Sequence, residues 1–138
     1  MKKNRLEIDY SYDFELLGLT TTAKSYRLAW ELNKALGIHL TRKSDLCIHI
    51  RTAEVTYSFH EHLSPVTTLR LFKNRPIEAE FVKLLLVPES PQSDFILMIQ
   101  GEDDLSKRLH QQLRNIPSVE LVAFIPLPPL KSKDNFIF

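Results

Sequence analysis

Glu89 and Asp94, in the stretch Val87-Pro88-Glu89-Ser90-Pro91-Gln92-Ser93-Asp94-Phe95, are the residues whose type and spacing best suit chemistry. Paired carboxyl groups can act as general acid and general base when they face one cavity and their pKa values are held apart. The spacing lets Glu89 project from a loop while Asp94 stands where an apolar run begins. No partner base, nucleophile or metal-ligand set accompanies them in the sequence. A turn explains the same residues with less: Pro88 and Pro91 fix the backbone, Glu89 accepts backbone or cationic hydrogen bonds, and Asp94 caps the turn. The sequence favours the turn. Asn33 joins them because it falls inside the apolar face of a helix. A buried amide there must bond either a neighbouring loop's backbone or something held in a pocket. Glu89, Asp94 and Asn33 are therefore the candidate polar cluster, and no catalytic residue is assigned.

Other groups offer less. His60 and His62 lie two apart and share one face of a strand. His49 could join them only across a hairpin whose link, Arg51-Thr52-Ala53-Glu54, sets Ile50 beside Val55 and His49 beside Thr56. That leaves His49 roughly 13 Å from the level of His60. A zinc ion with ligand bonds of roughly 2 Å cannot bridge this gap, so neither a metal nor another cofactor is expected. Glu7, Asp9, Asp13 and Glu15 alternate along the N-terminal stretch at intervals of about 7 Å. They read as a solvated strand face paired with lysines rather than as a cation-binding comb. Cys47 falls in a strand pattern and reads as a small, partly buried apolar residue. No G-x-S-x-G nucleophile motif is present, and three glycines in the whole chain exclude the familiar phosphate-cradling loops.

Bulk properties narrow the function classes further. Eighteen basic and seventeen acidic side chains leave a net charge of +1, whereas binding through phosphate neutralisation calls for a concentrated basic excess. Lys2, Lys3, Arg5, Lys131 and Lys133, at the two ends, are all that an RNA reading can draw on. A single cysteine permits no internal disulfide and fits a reducing compartment. The start, Met1-Lys2-Lys3-Asn4-Arg5, reaches Glu7 and Asp9 before any signal-like apolar core, and no apolar run approaches a membrane span. A cytoplasmic protein without a membrane partner is expected. With 138 residues, of which 43% are hydrophobic and 25% charged, one domain over 1–138 is expected, with a tail from about residue 127.

These residues need elements to position them. Leu6, Ile8, Tyr10, Tyr12, Phe14 and Leu16 alternate with polar residues, which predicts a strand with one buried face. Thr20, Thr21 and Thr22 offer cap oxygens for a helix over Ala23 to Leu36, stopped by Gly37. Tyr26, Ala29, Trp30 and Leu36 form its apolar face, with Lys24, Arg27, Glu31 and Lys34 opposite. Period-two patterns predict a hairpin over Leu46 to His60 and further strands at Val66 to Lys73, Val82 to Val87, Phe95 to Gln100 and Val119 to Ile125. Residues 74–80 read as an irregular turn. Asp103 or Asp104 starts a second helix with Leu105, Leu109, Leu113 and Ile116 as its stripe, and Pro117 ends it. If the last two strands are neighbours, the helix between them makes them parallel. The expected fold is α+β: a mixed, mostly antiparallel sheet with two helices on one face, in two layers.

Several of these local patterns resemble the IPExxxVDY family of bacterial proteins. The signature is matched by Val87-Pro88-Glu89 through Asp94-Phe95, with Val87 for Ile, Ser93 for Val and Phe95 for Tyr. Tyr26-Arg27-Leu28-Ala29-Trp30, Leu32 to Gly37, Asn74-Arg75 and Leu130 to Asn135 continue the resemblance in the same order. It implies a single-domain cytoplasmic bacterial protein with no established activity, so it brings no cofactor, substrate or partner with it. A tyrosine hydroxyl at position 95 is absent here. The expected function is a non-catalytic protein-interaction or accessory factor. The alternatives are an enzyme or small-ligand-binding protein using Glu89 and Asp94, and an RNA-associated protein. No oligomeric state is implied. Phe136, Ile137 and Phe138 either dock onto the domain or are offered to another protein.

Overall fold

Phe95–Gln100 (β7) carries five consecutive buried residues, the mark of a strand covered on both faces. Phe95, Leu97 and Ile99 face one core, whereas Ile96 and Met98 face another. The computed structural model, which describes residues 13–50, 52–81, 83–102, 104–127 and 133–136, builds the sheet around this strand. Six strands lie in the order β2-β5-β6-β7-β1-β8. They are Glu15–Thr21 (β1), Thr41–Arg42 (β2), Phe59–Leu63 (β5), Thr68–Lys73 (β6), β7 and Val119–Ile125 (β8). All their ladders are antiparallel. Leu46–Ile50 (β3) and Ala53–Tyr57 (β4) form a separate two-stranded sheet. The helices Ser25–Leu36 (α1) and Leu105–Arg114 (α2) pack on the large sheet, giving the expected α+β fold.

Both faces of the sheet are covered. Leu28, Ala29 and Leu32 of α1 and Leu105, Leu109 and Leu113 of α2 bury against Leu17, Leu19, Leu69, Leu71 and Leu97. On the other face Val55 and Tyr57 of the hairpin, Leu86 and Val87 of a loop, and Phe136 cover Phe14, Leu16, Phe72 and Met98. Phe136 stands edge-on to Phe72 at 5.2 Å, so this much of the tail docks onto the domain. The hairpin and loop thus add a partial third layer to the expected two.

The sequence expectations hold where one periodicity dominates. β7, β8 and the stripe Leu105, Leu109, Leu113 and Ile116 occur as expected, and Gly37 ends α1 with φ 66°. Two expectations change, the N-cap of α1 and its buried face. The alternating N-terminal stretch lies outside the described residues up to Tyr12. The described strand runs on through Thr20 and Thr21, so Lys24 takes the N-cap position, while Thr21 Oγ1 accepts the Ala23 N–H at 3.0 Å. On α1 the buried pair is Leu28 and Leu32, whereas Tyr26 and Trp30 are 70% and 58% exposed. The two pairs stand two residues apart, about 200° around the helix, so only one can face the sheet. Lys34 covers the Trp30 ring at 5.1 Å instead. Asp104 holds the N-cap position of α2 without a side-chain capping bond, and Asp103 lies outside the described residues.

The strand arrangement differs too. β1 lies between β7 and β8 and runs antiparallel to both, so the expected parallel ladder is replaced by two antiparallel ones. The hairpin closes more tightly than expected, pairing Ile50 with Ala53 and His49 with Glu54, and Ser58 separates β4 from β5. Of the expected strand over Val82 to Val87, the described residues 83–87 form an irregular loop, because β6 pairs directly with β7 and leaves them no place in the sheet, and Val82 lies outside the described residues. Leu86 and Val87 are fully buried all the same and Leu84 packs against them partly buried, in a short run whose periodicity cannot tell strand from loop.

Fully buried Tyr57 ties this loop to the hairpin by donating its hydroxyl to the Leu84 carbonyl at 2.6 Å. Burial, then the Glu78 carboxylate, pushes its phenol up to about 12. The phenol titrates near 10 when unfolded. The native state therefore keeps a proton that the unfolded chain releases, and this stability is complete below pH 10 and declines as pH rises towards 12. Tyr57→Phe should cost about 1–2 kcal/mol at pH 7 through the orphaned carbonyl, and should flatten the decline between pH 10 and 12. Urea unfolding at both pH values measures the two effects.

Candidate functional site

The connector from Val87 to Asp94 is held by one fully buried side chain, that of Asn74, at the end of β6. Its Nδ2 donates to the carbonyls of Ser93 at 2.8 Å and Ser90 at 3.3 Å, while Oδ1 accepts the Val87 N–H at 2.8 Å. The Asn74 backbone continues the clamp, donating to the Asp94 carbonyl and accepting from Leu86 N–H. Inside the turn the buried Ser90 and Ser93 hydroxyls meet at 2.8 Å. Asn135 donates to the Leu86 carbonyl at 3.2 Å, bringing the tail to the same loop.

The connector is also laid onto β1. Asp94 Oδ2 accepts the Thr21 N–H at 2.9 Å, Asp94 N–H donates to the Leu19 carbonyl, and Thr20 Oγ1 donates to the Gln92 carbonyl. Gly18 makes this contact possible: a Cβ there would overlap the Ser93 hydroxyl and stand 3.3 Å from Ile125 Cδ1. A missing side chain at the crossing point lets the loop lie flat on the strand.

The three candidate residues have different surroundings. Asp94 is held by β1, as described. Asn33 clips the end of α1 to the chain entering β2, with Oδ1 accepting Leu40 N–H at 2.6 Å and Nδ2 donating to Leu40 O at 3.1 Å. Glu89 is exposed, on the wall of a groove of about 320 Å³ with Ser90, Gln92, Ala123, Phe124, Ile125 and Pro126. An asparagine does meet the connector, but it is Asn74, a residue read only as part of a turn and of the Asn74-Arg75 resemblance. Its position, one residue beyond an apolar strand and before Arg75-Pro76, is the signal that sequence reasoning passed over.

The remaining candidates are also separated. His60 and His49 sit in different sheets. Burial, then Arg42, pushes His60 below the ordinary histidine range, and His62 Nδ1 accepts the His39 N–H at 3.0 Å. Among the described residues no three histidine, cysteine or carboxylate side chains gather as a metal-ligand set. Cys47 is exposed rather than partly buried, because odd-numbered β3 positions face outward. Desolvation, then Glu54, raises its thiol pKa. Lys2, Lys3, Arg5 and Lys131 lie outside the described residues.

The groove beside Glu89 opens along β8, which among the described residues has a sheet neighbour on one side only. Leu19 turns its carbonyl towards β7, so Gly18 and Thr20 turn theirs towards β8, and their partners Ala123 and Leu121 point inward. Val122 and Phe124 consequently direct their backbone groups out of the sheet. Leu121 and Phe124 are 52% and 51% exposed. A second recess of about 490 Å³, lined by Glu15, Leu16, Ile125 and Leu127 among others, extends the groove past the strand end. Such an edge can pair with another extended backbone.

Asn74→Ala should cost about 3–5 kcal/mol, since it leaves three buried partner groups unsatisfied, against about 1–2 kcal/mol for Asn33→Ala, a half-buried side chain that bonds the backbone of Leu40 alone. Equal losses in urea unfolding would remove Asn74 from its central place. Gly18→Ala should cost about 1–3 kcal/mol by overpacking. The loss should shrink by at least about 0.5 kcal/mol in a Ser93→Ala background, a coupling read from the double-mutant cycle. Compared with protein-family models and with curated protein sequences, the chain matches none.

Proposed function

We propose that this chain is a non-catalytic protein-interaction domain, akin to the IPExxxVDY family in its connector, whose partner docks on the β8 side. The observation that carries this reading is the open edge of β8. Among the described residues this seven-residue strand has no neighbouring strand on its outer side, where His110 reaches the Val122 carbonyl, and it carries the exposed side chains of Leu121 and Phe124 beside a groove walled by the connector. The other edge of the sheet is managed differently. β2 is two residues long and carries Arg42, the short and charged form that discourages pairing. An apolar edge of full length is a liability unless something uses it. Of Glu89 and Asp94, on which an enzyme reading rests, and Asn33, which would join them, Asp94 and Asn33 are held by backbone hydrogen bonds. A cytoplasmic location belongs to the same proposal. No helix among the described residues is long and apolar enough to cross a membrane.

Photo-crosslinking in the native cell tests the reading. A crosslinking residue placed at Leu121 or Ala123 should give one discrete adduct, and the same residue at exposed Lys107 on α2 should not. Leu121→Glu should abolish an adduct formed from position 123. Adducts of equal yield at position 107, or none at positions 121 and 123, would overturn it.

A further inference from the structure

Tyr26 and Trp30 stand one turn apart on α1, and both are exposed. Lys34 lies over the Trp30 ring, and Tyr26 meets no other ring among the described residues. At the start of the same helix, Lys24 lines a recess of about 450 Å³ together with Thr22, Lys73 from the end of β6 and Arg75 from the turn after it. All three cations are exposed, and none takes part in an ion pair among the described residues. Segments far apart in sequence thus bring three uncompensated positive charges to one hollow, where they repel one another and attract an anion. The near-neutral net charge of the chain conceals this grouping.

The flanks of α1 put rings and cations on one side. Asn33 bonds Leu40 at the entry to β2, whereas Glu31 accepts a hydrogen bond from the Ser118 hydroxyl just ahead of β8. Tyr26 precedes Asn33 by seven residues, about two turns, so it stands on the β2 flank, with Trp30 following on the outer face. Lys73 and Arg75 lie to that side as well, because the sheet runs β2-β5-β6-β7-β1-β8. The nearby carboxylates are placed or engaged elsewhere. Glu120 lies on β8, three strand spacings or roughly 14 Å from Lys73. Glu31 is on the β8 flank and pairs with Arg27, and Asp94, in the recess, accepts the Thr21 N–H.

We propose that this flank of α1 binds single-stranded nucleic acid, with phosphates held in the recess by Lys24, Lys73 and Arg75 and successive bases stacked on Tyr26 and Trp30. The track from Lys24 to Lys34 is about 15 Å long, room for about four nucleotides at about 3.4 Å each. A base displaces Lys34 from the Trp30 face, and the freed ammonium meets a phosphate. The occupant follows from the pairing of the two chemistries. A base-free anion or an acidic peptide uses the cations and leaves both rings idle, and a duplex hides the base faces that the rings cover. This surface is separate from the β8 edge and does not rest on the interaction reading.

Titration of the full chain tests this, with octamers of uridylate and of thymidylate, a hairpin duplex, and inorganic polyphosphate as probes. Trp30 is the only tryptophan, so its fluorescence reports stacking, while the anisotropy of a labelled octamer gives affinity as salt is raised. At least one octamer should bind and quench Trp30, with a slope of log affinity against log salt between about −2 and −3. A preference between the two octamers identifies the natural sugar. Tyr26→Ala should weaken binding about tenfold, and Lys73→Ala combined with Arg75→Ala should flatten the slope by about 1.4. Lys107→Ala, on α2, should change neither quantity. All four side chains are exposed, so these variants should fold as the parent does. Duplex or polyphosphate binding as tightly as the octamers, or Tyr26→Ala leaving affinity unmoved, would reduce the flank to a plain cationic patch and overturn the proposal. Equal losses in Lys107→Ala, or no binding of either octamer at about 50 mM salt, would overturn it as well.

Discussion

The buried amide of Asn74 is the constraint on which the second face of the domain depends. One side chain satisfies a donor and two acceptors of a loop that would otherwise bury an irregular backbone against an apolar sheet. Unmet, each such group would cost about 1–3 kcal/mol, enough in sum to consume a large part of a small domain's stability. With the amide in place, Leu86 and Val87 can be fully buried without being a strand. The loop then presses against β1, and only glycine at position 18 leaves room for Ser93 there. Polar satisfaction, apolar burial and a missing Cβ form one mutually dependent arrangement.

That arrangement sets the shape of the exposed surface. The connector stands as a wall beside β8 because Asn74 and β1 hold it from two sides, and Glu89 is carried on that wall. The residues that looked most like catalytic partners have been given to the architecture, Asp94 to the β1 backbone and Asn33 to the end of α1. What the described residues leave open is backbone on the outer side of β8, where His110 from α2 reaches the Val122 carbonyl. The fold thus treats its two sheet edges unequally. Among the described residues one is shortened to two residues and carries a charge, whereas the other is seven residues long and exposes Leu121 and Phe124.

Much of the architecture was legible where a single local pattern decided it. Val119–Ile125 and Phe95–Gln100 are apolar runs bounded by proline, glycine or polar turns, and the α2 stripe recurs at helical spacing with no competing stripe. The candidate site was legible only in part. The connector is the stiff turn that Pro88 and Pro91 suggested, yet its buried partner lies thirteen residues before Val87, in a segment that reads as an ordinary turn. No spacing rule links an asparagine to a loop it meets only after both have folded onto the same strand.

By itself the sequence determined the α+β class, the positions of β7, β8 and α2, the stop at Gly37 and the absence of familiar nucleophile and phosphate-loop motifs, because periodicity and chain punctuation are local properties. Tertiary structure alone decided which stripe of α1 is buried, that Leu86 and Val87 enter the core from a loop, that β1 separates β7 from β8, and which asparagine holds the connector. Each of those choices lies between locally equivalent options. They are settled by whether the groups brought together across the chain can fill space and satisfy one another's hydrogen bonds.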